Sequence, residues 1–583
     1  MTSSARPAGP KARDISVDVL IMGSGTGLAA ALAAKEKGLS VLVVEKTELV
    51  GGSAARSGGA FWIPGNDALR RDGANTSAKL VKTYLDDLVG EDAKPARRAA
   101  YVEHGPAAVS MLERMTKLRF IWSKEYSHYH AERPGGSALG RTCESSPFDI
   151  NQLGAEKKRF RPSAMGSSPI SVPVTGTAYR WLNLIVRKPL QAIVIGFKSV
   201  ILKGLGAMLL GKFHVASGQA LAAGMFEGTI RANIPIWTRA RVVELLSESG
   251  RVNGAVVEQD GQRFRVDAAR GVILAAGGFD HNMAMRTKYQ SPSLVEDLSL
   301  GAEGNTGDSI NLAQESGAGI ELMDQAWWFP SVKAVKGEAP KILLAERSLP
   351  GSIIVDQHGE RFLNEAMDYM SFGQKLLQRE QEGKPVGQMW LVFDQANRNG
   401  YMLAGSLMPR MSLPQAWYDE GIAVKADNPR DLARAAGLPE DRFVAAFERF
   451  NGNALQGKDE DFHRGEFAYD RYYGDPTIRP NPNVRPLTGT LYAIKLVLSD
   501  LGTCGGLMTD EHARVLREDE TPIEGLYCNR QQRSQRVWSN LPRRWRHHWS
   551  RHHVRLHRRS GHGQPLAVPD AMRVDKSSSR CAA

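Results

Sequence analysis

The sequence predicts an α/β fold: a parallel sheet flanked by helices, with an α+β portion inserted beside it. Three observations within Val17–Asn66 predict it. Val17, Val19, Leu20 and Ile21 form a short apolar run of the kind buried in a parallel strand. Glycines at 23, 25 and 27 follow and lead into a helical run over Leu28–Lys37. Leu39–Val44 is a second apolar run, closed by Glu45. Strand, glycine turn, helix, strand and acid make one βαβ unit of Rossmann-like type.

Each element has a physical reason. Gly23, Ser24, Gly25 and Gly27 let the backbone turn tightly and bring a phosphate to the helix N-terminus. Glu45, beside Lys46, stands 22 residues after Gly23, where a carboxylate can take ribose hydroxyls. These features favour dinucleotide binding over a plain α/β unit. The turn departs from GxGxxG spacing, because Leu28 holds the third glycine position. A second glycine-rich loop, Gly51–Gly59, has no role in a bare NAD site. The hydroxyls of Ser53 and Ser57, with the amides around Gly52, Gly58 and Gly59, suit the diphosphate and flavin of an extended FAD.

With Ala60–Pro64 behind them, these residues resemble the flavoprotein dehydrogenases related to fumarate reductase, and most closely the 3-ketosteroid Δ1-dehydrogenases. The resemblance implies an FAD-binding domain with an inserted substrate domain. It implies carbon 1–carbon 2 dehydrogenation of a 3-oxosteroid, with a proton leaving carbon 2 and hydride passing from carbon 1 to flavin N5. No histidine lies between Glu45 and Pro64, so FAD is expected to be held non-covalently. The family's active-site tyrosines match Tyr129, in Tyr126–Gly136, and Tyr369, in Phe362–Tyr369; read alone, each would be an ordinary core tyrosine. His128 is expected to be only a neighbour. The electron acceptor is not identified by the residues; a quinone-like one suits the class.

The rest of the chain fits this plan. Ile234–Val266 alternates and turns like a β-meander, and Val242 and Leu245 match where the family sets backbone against adenine. Gly271–Phe279 is another apolar strand ending in glycines, with Ala276 and Gly277 returning to FAD. Asp308 reads either as a helix N-cap or as a flavin-side contact. Gln325–Pro330 supplies an aromatic wall for a flat apolar ligand, and Ala468–Pro476 matches the family without a role that can be assigned. Residues 1–16 are expected to be disordered, 17–300 and 485–527 to form the FAD domain, and 301–484 the substrate domain. Leu190–Lys212 is apolar but interrupted by Lys198 and Lys203. It reads either as a helix packed on the domain or as a peripheral membrane contact.

Four cysteines without metal or disulfide spacing, and no apolar leader in Met1–Ile15, point to a cytoplasmic protein without a metal centre, membrane-associated at most. The net charge of +12 is misleading as a sign of nucleic-acid binding. Residues 528–583 hold thirteen Lys and Arg against two Asp, so the preceding 527 residues carry only +1. The resemblance stops at Tyr527. One set of codons able to encode Ser539–Arg551, read one base on, spells QTYPGAGATIGQG, which resembles the family's continuation. The segment 528–583 therefore reads as a one-base slip at Tyr527/Cys528 that removes a carbonyl-holding Tyr-Pro-Gly and a flavin-capping helix. Alternatives are a 3-oxo-5α-steroid Δ4-dehydrogenase, a fumarate reductase-like flavoprotein, or, in a different class, a basic-tailed binding protein.

Overall fold

The computed structural model describes residues 13–75, 77–164 and 173–528. Its first sheet is centred on the strand Arg13–Met22, which pairs in parallel with Val41–Val44 on one side and with Gln262–Leu274 on the other. Ile236–Trp237 and Pro522–Cys528 extend the parallel order outward, and Arg514–Leu516 closes one edge in antiparallel sense. Alternate residues of the central strand feed opposite faces. Val19 and Ile21 pack with the helices Gly27–Glu36 and Ser217–Arg231, while Leu20 and Met22 pack with the meander and the helix Asp308–Glu315. A strand covered on both faces reads as a continuous apolar run, as the sequence does. This strand starts earlier than the disordered beginning expected to residue 16, because Arg13–Val17 pair with Phe264–Ala268.

The meander is Ala240–Glu248, Arg251–Gln259 and Gln262–Leu274, paired antiparallel in sequence order. Its last strand runs on as the neighbour of the central strand, so one element joins meander and parallel sheet.

A second, antiparallel sheet is built from Ala326–Val332, Lys341–Ile342, Ser352–Asp356, Met389–Asp394, Ala423–Ala426 and Leu491–Thr503. Leu491–Thr503 pairs with Ala326–Val332, Met389–Asp394 and Ala423–Ala426. It thus sits in the second sheet, although the return to the first domain was expected at 485. The reverse holds for Asp308–Glu315, whose Ile310, Leu312 and Ala313 fill the core of the first sheet rather than the second.

The stretch 190–212 folds as a helix Pro189–Gly196, a wider π-helical run Phe197–Gly206 and a last turn Ala207–Leu209. Among the described residues no helix is long and apolar enough to cross a membrane. Cys528, the first residue expected to fall outside the fold, is a buried strand end bonded through its N–H to the Ala513 carbonyl. The expectations for residues 1–12 and 529–583, including the displaced Tyr-Pro-Gly, lie outside the described residues.

Candidate active site

A cleft of about 960 Å³ opens at the carboxyl ends of the parallel strands. The first glycine turn forms its floor. Gly23 has φ +103°, and a Cβ there would lie 2.3 Å from the Ala275 carbonyl oxygen, so only glycine fits. A Cβ at Gly25 would meet nothing nearer than 3.8 Å. The short spacing is absorbed at Gly27, where the helix begins one residue before Leu28. A Cβ at Gly27 would stand 3.0 Å from Ile21 Cγ2, so this glycine does the close helix–strand packing expected of the third position.

Of the residues expected at a cofactor, Gly23, Ser24, Gly25, Glu45, Lys46, Gly52, Ser53, Val242, Ala276, Gly277 and Asp308 line this cleft. Gly27, Ser57, Gly58 and Gly59 do not: Ser57 Oγ donates to the Ala54 carbonyl at 2.9 Å, and Gly59 backs onto Ser217. Leu245 instead pairs across the meander with Ala255. Glu45 is buried at the end of its strand, with Ser24 N–H and Oγ on one oxygen (3.1 and 2.7 Å) and Thr47 N–H and Oγ1 on the other (2.9 and 2.8 Å). Asp308 is not the helix cap. Gly307 holds that position in a left-handed conformation, and Asp308 accepts from Lys46 Nζ at 3.1 Å and Thr306 Oγ1 at 2.6 Å. Sequence reasoning missed Arg161, Asp280 and Asn305, which also line the cleft; Trp327, expected in the aromatic wall, and Thr503 line it as well.

The tyrosines meet at the second sheet. Tyr369 begins the helix Tyr369–Gln381, whose cap Asp368 accepts from Ser371 N–H at 2.9 Å. The Tyr129 hydroxyl donates to the Tyr369 hydroxyl, and Tyr126 lies 3.3 Å beyond Tyr129, hydroxyl to hydroxyl. Phe329 stacks on Tyr369 with ring centres 4.1 Å apart, and Tyr469 meets Tyr129 edge-on at 4.8 Å. Trp327 joins the two regions: it lines the cleft, and its ring centre is 6.4 Å from that of Tyr369. Burial pushes the Tyr369 and Tyr129 hydroxyls well above the ordinary tyrosine value, while the Tyr129 hydrogen bond lowers that of Tyr369. His128 is a neighbour in a structural sense. It accepts from Trp62 Nε1 at 3.0 Å, and burial holds it neutral, down to about 3. The role of Ala468–Pro476 is now visible, since Tyr469, Tyr472 and Tyr473 pack around Tyr126. Their only signal was tyrosine density.

A parallel sheet with a glycine-floored cleft at its carboxyl ends, beside a second sheet that carries paired tyrosines, defines a dinucleotide-dependent redox enzyme. The chain belongs to the FAD binding domain family, which it matches over residues 18–529. It is 42% identical over 526 residues to a 3-oxosteroid 1-dehydrogenase of Mycolicibacterium smegmatis, covering 88% of this chain and 91% of that protein. A 3-oxosteroid 1-dehydrogenase of Mycobacterium tuberculosis is likewise 42% identical, over 88% of this chain and 92% of its own length. The chain is similar in structure to a 3-ketosteroid delta1-dehydrogenase from Sterolibacterium denitrificans solved with 1,4-androstadiene-3,17-dione. That likeness has a TM-score of 0.80 and 35% identity, over 88% of this chain and 93% of the other.

Proposed function

We propose that this protein is an FAD-dependent 3-ketosteroid Δ1-dehydrogenase, converting a 3-oxosteroid to its 1,2-unsaturated product. The observation that carries this is the Tyr129–Tyr369 hydroxyl pair on an aromatic floor, joined by Trp327 to the FAD cleft, in a chain so similar to 3-oxosteroid 1-dehydrogenases. The cleft suits FAD: Gly23 and Gly25 leave room for a diphosphate against the helix Gly27–Glu36, and Glu45 lies at the strand end beside them.

FAD, when bound, supplies the hydride acceptor for carbon 1. The protein's residues deal with the proton and the position of the ring. The 3-oxo group acidifies carbon 2, and Tyr369 takes that proton at its phenolate oxygen. Tyr129 donates its hydroxyl proton into a hydrogen bond on the same oxygen, which favours the ionised form. Tyr369 stands at the first position of its helix, beside the capping Asp368, whose carboxylate acts in the opposite direction and raises its pKa. Phe329 and Trp327 give the flat apolar substrate a wall and exclude water. The test is Tyr369→Phe in the frame-corrected protein, which should lower steroid dehydrogenation by about 10²–10⁴-fold with an unchanged flavin spectrum. Near-normal turnover would remove Tyr369 from the reaction.

The two electrons must leave to an acceptor, for which a quinone-like molecule fits the class. A peripheral membrane contact through 190–212 would suit such an acceptor, and is proposed with it. Leu190, Ile193, Val194, Phe197, Leu209 and Leu210 are exposed there, Leu209 to 89%. Residues 157–226 contain ten Lys and Arg and no acid, which suits an anionic lipid surface.

A further inference from the structure

The segment that carries Tyr369 is tied to a buried knot of charged side chains outside the cofactor cleft. Arg347, in the short turn Glu346–Ser348, is fully buried. Its Nη1 donates to the carbonyls of Glu365 and Met367, the second of them two residues before Tyr369. Its own carbonyl accepts from Arg464 Nη2 at 3.1 Å. The other two arginines of the knot have carboxylate partners. Arg361 pairs with Glu365 and with Asp459, each at 2.8 Å, and Arg464 pairs with Glu365 at 3.3 Å. Arg347 has no such partner among the described residues, and its Nε and Nη2 are buried without an acceptor. Its charge is felt at Tyr469. Burial pushes that hydroxyl well above the ordinary tyrosine value and Tyr126 adds to this, while Arg347 lowers it. A buried cation without an anion is costly, and so are idle buried donors. Replacing buried charges by apolar side chains of similar volume is often neutral or stabilising. Stability alone therefore does not account for Arg347.

We propose that Arg347 is a positioning residue for Tyr369: its clamp on the Glu365 and Met367 carbonyls sets where the helix Tyr369–Gln381 begins, and so aims the Tyr369 hydroxyl at Tyr129 and at carbon 2 of the substrate. Residues 362–368 belong to no helix or strand, so side chains rather than a backbone ladder must fix them. Glu365 holds the same segment from its other side, its Oε1 accepting from Ile354 N–H at 3.1 Å in the strand Ser352–Asp356. A misplacement of about 1 Å at a reacting group costs about 10²-fold in rate. The aromatic wall stands on a different element, Ala326–Val332, so loss of the clamp acts on rate and not on the hold on the steroid.

This inference rests on the Δ1-dehydrogenase reading, and the experiment separates the two. Arg347→Gln and Arg347→Lys are compared with the parent chain, all with the frame after Tyr527 corrected and FAD bound. The measurements are steady-state kinetics on a 3-oxosteroid and stopped-flow reduction of the flavin. Arg347→Gln should lower kcat about 10²-fold, with KM and flavin content close to those of the parent. Arg347→Lys, which keeps a cation without the planar fork, should fall between. Added to Tyr369→Phe, Arg347→Gln should cost nothing further, because it acts only through that hydroxyl. Parental kcat in Arg347→Gln, a loss confined to KM, or losses that multiply in the double variant would each overturn the inference and leave the dehydrogenase reading standing. If Arg347→Gln does not fold, Arg347→Lys carries the same comparison. If neither folds, Arg347 serves stability and the inference is overturned as well. A parent whose flavin no 3-oxosteroid reduces would remove both.

Discussion

Tyr369 combines two opposed influences. Burial holds its hydroxyl well above the ordinary value, while the hydrogen bond from Tyr129 lowers it. Below its pKa, the ionised fraction of such a base grows tenfold per pH unit. The turnover number should therefore rise with pH and reach no plateau below about pH 10, the ordinary tyrosine value. Tyr129→Phe removes the donor, so the rising limb should move to higher pH and the rate at pH 8 should fall about tenfold. A plateau near neutrality in the wild type would contradict this account. His128 tests the same environment through stability. Burial lowers its folded pKa to about 3 from 6.5, so between those values the unfolded chain binds more protons. Its contribution is present above pH 6.5 and is lost as the pH falls. At pH 5 the cost is about 2 kcal/mol. Asp280 and Asp470, raised to about 6 first of all by burial, act in the opposite direction, so the informative quantity is a difference between proteins. His128→Asn should lose less melting temperature than the wild type between pH 7 and pH 5.

Among the elements, the run Pro189–Leu209 departs furthest from the behaviour of a soluble surface. Leu190, Ile193, Val194, Phe197, Ile201, Leu205 and Leu209 face solvent, and its flanks are basic. An exposed apolar patch of this kind marks an interaction surface. With Leu190, Ile193 and Phe197 replaced by serine, flotation with vesicles containing anionic lipid should be lost and catalysis on a detergent-solubilised steroid kept. Equal flotation of both proteins would leave the segment as a packed surface helix. The sequence alone offered both readings here, because a helical apolar run does not reveal which side its neighbours occupy. Elsewhere legibility followed local constraint. Gly23 and the run Val17–Ile21 were readable because turn geometry and two-sided burial dictate residue type at each position. Arg161 and Tyr126 were not, since their roles arise from contacts with Glu303 and Tyr129 that no spacing encodes. Leu491–Thr503 was misplaced for the same reason: only its partners put it in the second sheet.

For the whole molecule, the decisive question is the last segment. The family match ends at residue 529, two residues after the point where the sequence ceases to resemble its relatives. The parallel sheet reaches that point intact, with Leu526, Tyr527 and Cys528 in register against Val272, Ile273 and Leu274. The strand thus delivers the chain to the carboxyl edge of the sheet, beside the cleft, where the family resemblance implies a glycine-started segment. The written residues Asn529–Pro569 contain no acid and no apolar period. With the codon choice that spells QTYPGAGATIGQG, a single-base correction at Tyr527/Cys528 would restore a glycine-rich continuation with a Tyr-Pro-Gly. We therefore expect the corrected protein to bind FAD more tightly and to dehydrogenate 3-ketosteroids at a rate the 583-residue form does not approach. Both forms would be prepared from verified genes and compared by flavin content and by steady-state oxidation of a 3-oxosteroid. Equal rates would show that the basic segment supports catalysis, and the frame-slip reading would then be wrong. A gain in flavin content without a gain in rate would mean that the continuation caps the cofactor but does not hold the substrate's carbonyl.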